Sequence, residues 1–99
     1  MMKLRINPLV AEDLKRIRDY IAEDNKEYAA QTIKEIYNKF ESLQRFQGIG
    51  ADLSKRVSFQ TDYKYVILVN YVIIYKIANE WVEIYRAVNR DQDITRIFE

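Results

Sequence analysis

Cysteine and histidine are both absent from the 99 residues. Their absence excludes disulfide staples, thiolate or imidazole zinc sites, a catalytic thiol and every histidine-based triad. One proline and two glycines are present, so few irregular connections are expected. No apolar run approaches the roughly 20 residues needed to cross a bilayer. The opening "MMKLRINP" is too short and too polar for a signal, so the chain reads as soluble and cytoplasmic, with no membrane segment. An excess of charge of either sign is missing too: 16 basic residues face 15 acidic ones, a formal +1. The halves are equally balanced, with 9 and 8 over residues 1–50 and 7 and 7 over residues 51–99. Only a local cluster of cations could therefore hold a phosphate backbone. The length fits one domain over residues 1–99, near the lower end at which one core holds a fold unaided.

What is present is periodicity. "KLRI" alternates from Lys3 to Ile6 and ends at Asn7-Pro8, a cap residue followed by proline at the first helical position. Val10, Leu14, Ile17 and Ile21 then form one helical stripe, and Glu12 and Asp13 fall early enough in the helix to complement its dipole. This helix is expected to stop near Glu23. Asp24 is read as the cap of a second helix with Glu27 as its box partner, and Ala29, Ile33, Ile36, Phe40 and Leu43 carry its stripe. Helices joined so tightly form an antiparallel hairpin. "FQGIGADLSKRVSF" holds both glycines and is expected to be an irregular connection. "YKYVILV", "YVIIYKI" and "WVEIYRAV" are rich in Val, Ile and Tyr, and the short breaks at Asn70 and at Asn79-Glu80 predict a three-stranded antiparallel meander.

The expected fold is α+β: an N-terminal strand, an antiparallel helical hairpin, then the meander, with the hairpin covering one face of a small sheet. In "YVIIYKI", positions 71, 73, 75 and 77 share one side and 72, 74 and 76 the other, and both sides are largely apolar. Such a strand is central, or is covered by a partner.

These segments resemble the RelE/ParE family of bacterial toxins from type II toxin–antitoxin systems. The resemblance rests on "VAEDLKRIRDYI", "YAAQTIKEI", "DYKYVILVNYVIIYKI" and "VEIYRAVNRDQDITRIF", which span nearly the whole chain in order. It implies the α+β fold above and a cognate antitoxin whose disordered segment folds on the toxin. It also implies one of two targets: DNA gyrase, poisoned by ParE-like members, often in plasmid stabilisation, or ribosome-bound messenger RNA, cut by RelE-like ribonucleases. A degenerate toxin or plain interaction domain is the remaining reading. The family's closing "HGRRD" or "YGRRD" falls on Asn89, Arg90, Asp91, Gln92 and Asp93, so this chain departs from it at four of those positions. That departure and the near-neutral charge favour the gyrase reading.

By the same resemblance, the candidate catalytic residues of a ribonuclease are Lys64, Arg86 and Arg90. RNA cleavage through the 2′-hydroxyl needs a base, a cation for the phosphorane and an acid. Lys64 or Glu83 would be the base and Arg86 or Arg90 the phosphate clamp. Strand alternation puts Glu83 and Tyr85 on one face and Arg86 on the other unless the strand bulges. The candidate target- or antitoxin-binding set is Tyr71, Tyr75, Tyr85, Asn89, Arg96, Ile97 and Phe98. Beside these stand structural readings: ion-paired strand charges for Lys64 and Arg86, tail charges for Arg90 and Arg96, core packing for the tyrosines, and an edge anchor for Trp81. No cofactor and no metal are indicated.

Overall fold

Asn7 and Pro8 turn the first strand into a helix. In the computed structural model, which describes residues 1–92 and 94–98, the Asn7 side chain accepts the Leu9 N–H at 2.9 Å and Pro8 opens the helix. The chain runs β1 (Lys3–Ile6), α1 (Pro8–Ala22), α2 (Lys26–Arg45), β2 (Ala51–Asp52), β3 (Lys64–Leu68), β4 (Tyr71–Ala78) and β5 (Trp81–Asn89). Short 3-10 turns lie at Leu53–Lys55 and Ile94–Phe98. The cap of α2 is Asn25 rather than Asp24: Asn25 accepts the Tyr28 N–H at 3.0 Å. The backbone N–H groups of both Asp24 and Asn25 donate to the Ile21 carbonyl, so Asp24 belongs to the closing turn of α1.

The described strands form a five-stranded sheet in the order β1-β5-β4-β3-β2. The expected meander is β3-β4-β5, antiparallel throughout. β1 is added parallel to β5, and two residues of the glycine-bearing connection pair with β3 as β2. The meander's two connections hold two residues each. Asn79 adopts φ 56° at low cost for asparagine, whereas exposed Val69, also at φ 56°, is a β-branched residue held in the left-handed region.

β4 is central, and its two faces build two cores. Ile73 and Tyr75 join Val82, Ile84 and Ala87 of β5 under Val10, Leu14 and Ile17 of α1 and Ile36, Phe40 and Leu43 of α2. Val72 and Ile74 on the opposite face join Val88 and Leu53, and Tyr63, Tyr65, Tyr85, Ile97 and Phe98 close over them. The second face is thus covered by the chain's own connection and C-terminal turn.

Tyr75 ties the glycine-bearing connection to the sheet. Its hydroxyl donates to the Gln47 carbonyl at 2.8 Å and accepts the Gly50 N–H at 2.9 Å. Gly50 must be glycine here, because a Cβ would run into the phenol oxygen. Replacing Tyr75 by Phe leaves two backbone groups unpaired and should cost about 1–3 kcal/mol, measured as a lower urea midpoint at unchanged m. Burial also raises the Tyr75 phenol above its ordinary value of 10.0. The neutral form is therefore favoured by folding, and its contribution is full below pH ~10 and is lost as pH rises through the raised value. The natural chain should lose more stability in alkali than Tyr75→Phe; equal losses would contradict this account.

Candidate functional site

Two of the three candidate catalytic cations are already engaged by carboxylates of the same chain. The Lys64 ammonium donates to Asp52 Oδ1 at 2.9 Å across the β2–β3 pair. That hydrogen bond is also the main reason the exposed Asp52 carboxyl lies below its ordinary value. Arg86 forms a two-pronged pair with Asp13 of α1, Nε to Oδ2 at 2.7 Å and Nη2 to Oδ1 at 2.8 Å. These bonds raise the guanidinium further above its already high value, so Arg86 holds a fixed charge and cannot shuttle a proton. Arg90 is exposed, with its backbone N–H on the Asn70 carbonyl at 2.7 Å. Lys64 lies in the row Lys64–Tyr75–Ile84, whereas Arg86 lies in the row Arg86–Ile74–Tyr65. The three cations are not gathered around one point.

Asp13 was expected to serve the helix dipole, but it is 3% exposed and sits on the buried side of α1. β1 ends opposite Ile84, where the Asn7 N–H takes the Ile84 carbonyl. Beyond that point no described strand covers this side of β5, and Asp13 Oδ2 accepts the Ala87 N–H at 3.0 Å in place of a strand partner. The clue in the sequence was the carboxylate's spacing, three residues after Val10 and four before Ile17, which puts it on the apolar stripe, where a charge needs a buried partner. The strand does bulge: Ile74 pairs with Arg86 and Tyr75 with Ile84, leaving Tyr85 unmatched. Without the extra residue Arg86 would follow Val82 and Ile84 into the helix-side core; with it, Ala87 takes that place.

The candidate binding residues divide between two places. Tyr71 and Asn89 line a hollow of about 200 Å³ beside α1, together with Arg16, Ile17, Tyr20 and Val88. Tyr20 is 73% and Tyr28 51% exposed at the tip of the helical hairpin. Burial, then the neighbouring Tyr28 and Tyr20, push the Tyr71 phenol up. Three tyrosines thus crowd one edge of the molecule, two of them on helices, where strand-directed reading missed them.

Tyr85, Ile97 and Phe98 meet on the opposite sheet face. The Tyr85 ring is 5.0 Å from Tyr63 and 5.4 Å from Phe98, and Phe98 is 5.6 Å from Phe59. Tyr75 is fully buried and offers no surface. Arg96 is exposed on the closing turn, and Asp93, which matches the last residue of the family's closing motif, lies outside the described residues. Trp81 starts β5, an interior strand, and lies under the Arg5 guanidinium at 4.2 Å. Among the described residues no group of His, Cys, Asp and Glu side chains is placed to hold a metal ion. No described helix is long and apolar enough to cross a membrane.

Compared with known proteins, the chain matches over residues 4–94 the family model described as the ParE toxin of the type II toxin–antitoxin system parDE. Its fold is similar to that of a chain from the chromosomal ParDE toxin–antitoxin system of P. aeruginosa, with TM-score 0.74 and 22% identity over 90% of this chain and 96% of that one. No curated protein matches the sequence.

Two measurements test this geometry. Asp13→Ala strands the Arg86 charge and the Ala87 N–H together and should cost about 3 kcal/mol or more. Asp13→Asn, which keeps an acceptor, should cost less, and equal melting of both variants would refute the edge-capping role. A chain ending at Arg96 uncovers Tyr63 and Tyr85 and should lose about 2–3 kcal/mol. An unchanged melting temperature would show that the closing turn does not cover this face.

Proposed function

Because the chain belongs to the ParE family of toxins of type II toxin–antitoxin systems, we propose that it stops growth by binding DNA gyrase and is silenced by a cognate antitoxin. The family match over residues 4–94 carries this reading. The disposition of the cations supports it. A ribonuclease needs base, phosphate clamp and acid around one substrate. Here Lys64 is bound to Asp52 and Arg86 to Asp13, in separate rows of the sheet. Glu83, the other candidate base, accepts from Arg5 at 3.1 Å. A protein that acts by binding needs none of these as a reacting group.

The antitoxin is assigned to the hollow beside α1, where Tyr20, Tyr28 and Tyr71 offer apolar rings with polar ends. Such a surface suits a disordered segment that folds as it docks. Gyrase and the antitoxin both place the protein's action in the cytoplasm.

Purified protein added to gyrase and relaxed plasmid should block supercoiling and accumulate cleaved DNA, and the product of the adjacent antitoxin gene should reverse both. Lys64→Ala and Arg90→Ala remove rim charges, and each should cost below about 1 kcal/mol of binding, within about fivefold in the inhibitory concentration. Tyr71→Ala should weaken antitoxin rescue by tenfold or more, as loss of a central aromatic anchor. Unimpaired gyrase, together with messenger RNA cut within codons on the ribosome, would replace this reading with the ribonuclease one.

A further inference from the structure

The sheet face opposite the helices is only half covered. Its Val72–Ile74–Val88 half lies under the closing turn and the Leu53 to Tyr63 segment. The other half carries the row Arg5–Glu83–Lys76 across three neighbouring strands, with Lys3 paired to Trp81 beside it. Tyr63 and Tyr85 stand at the boundary between the halves. The side chains of Arg5 and Lys3 are 55% and 62% exposed.

Every described cation–aromatic contact falls on this one face. Arg5 and Lys3 lie 4.2 and 5.4 Å from the Trp81 ring, Lys76 lies 5.4 Å from Tyr63, and Arg56 lies 5.0 Å from Tyr65. The Arg56–Tyr65 contact lies in the covered half; on the open half, Trp81 with Arg5 and Lys3 and Tyr63 with Lys76 offer stacking surfaces for bases and counter-charges for phosphates. A hollow of about 230 Å³ opens among them, lined by Arg5, Pro8, Tyr63, Glu83 and Tyr85. It is smaller than the roughly 300–1,000 Å³ that encloses a whole drug-sized ligand, so it suits one planar ring whose remainder lies on the surface. Arg5 engages one oxygen of Glu83, Oε1, which leaves Oε2 to accept from a base.

We propose that this half-face binds single-stranded nucleic acid, seating one unpaired base in the hollow against the Tyr63 and Tyr85 rings and beside Glu83 while Arg5 and Lys76 hold the flanking phosphates. A carboxylate only accepts hydrogen bonds. It therefore favours cytosine, whose N4 amine donates, over uracil and thymine, whose O4 at the same place repels it. On this half-face Lys3, Arg5 and Lys76 outnumber Glu80 and Glu83, which pair with Lys3 and Arg5, so one positive charge is left over for phosphate.

The test is fluorescence anisotropy of labelled octamers of dC, dT, rC and rU with the purified full chain at up to about 100 µM protein, in the range of ordinary non-specific affinities. The C octamers should bind more tightly than the T or U octamers, and an octamer duplex more weakly than either. Arg5→Ala combined with Lys76→Ala should weaken C-octamer binding tenfold or more and flatten its salt dependence by about two phosphate contacts. Glu83→Gln, with an amide that both donates and accepts, should erase the preference for C. Lys34→Ala on α2, facing away from the sheet, should change nothing. Tight binding of the DNA or of the RNA series upholds the proposal and names the nucleic acid. No binding, duplex bound as tightly as single strands, or equal loss in the Lys34 control overturns it. Because binding is read in vitro, failure here leaves the toxin reading untouched, and failure against gyrase leaves this one untouched.

Discussion

β4 is apolar on both faces, and the rest of the chain is arranged to satisfy it. Ile73 and Tyr75 point to the helices while Val72 and Ile74 point away, so a single cover would leave one set of side chains in water. The helical hairpin provides the first cover through stripes at helical spacing. The second is assembled from pieces without regular length: Leu53, Tyr63, and the closing turn with Ile97 and Phe98. Burying both faces lets a chain of 99 residues with no cysteine form a large enough core, since small domains otherwise expose too much of their surface.

A second constraint comes from the unequal lengths of β1 and β5. β1 holds four residues and β5 nine, so the far end of β5 lacks a strand on one side. Asp13 fills that edge, and its charge is balanced by Arg86. The bulge at Tyr85 is what makes this possible, because it shifts Arg86 out of the helix-facing positions and brings Ala87 into them. Bulge, carboxylate and guanidinium act together: a side-chain cap on a sheet edge blocks further strand addition and fixes α1 against β5. The hollow with Tyr71 and Asn89 borders this cap, sharing Asp13 and Ala87 with it.

The molecule presents two dissimilar surfaces. One lies beside α1 and offers tyrosines around an apolar hollow, suited to a protein segment. The other is the uncovered half of the sheet, where rings and cations alternate, suited to bases and phosphates. Neither depends on a group that transfers protons, in keeping with a chain that lacks histidine and whose Arg86 charge is fixed.

Local spacing was legible in the sequence. Asn7-Pro8, the stripes from Val10 to Ile21 and from Ala29 to Leu43, and the short breaks at Asn70 and at Asn79-Glu80, the first of which also takes in Val69, each depend on neighbours a few residues apart, where the backbone's own periodicity decides. The α+β class and the family resemblance followed from their order. The site was less legible. Tyr75 looked like a binding residue until the connection at Gln47 and Gly50 enclosed it, and the packing of Ile97 and Phe98 on the Tyr85 face was not visible in their local pattern. Asp13 looked like a dipole residue until Ala87, 74 positions away, came to rest against it. The parallel placement of β1 on β5 and the pairing of Ala51–Asp52 with β3 likewise joined segments that share no local pattern. Sequence by itself determined the two helices, the four longer strands and which side of each is apolar, because those depend on local backbone geometry. Tertiary structure alone decided which polar groups are neutralised and which apolar faces are covered, because hydrogen bonds, ion pairs and burial depend on distances that long-range pairing creates.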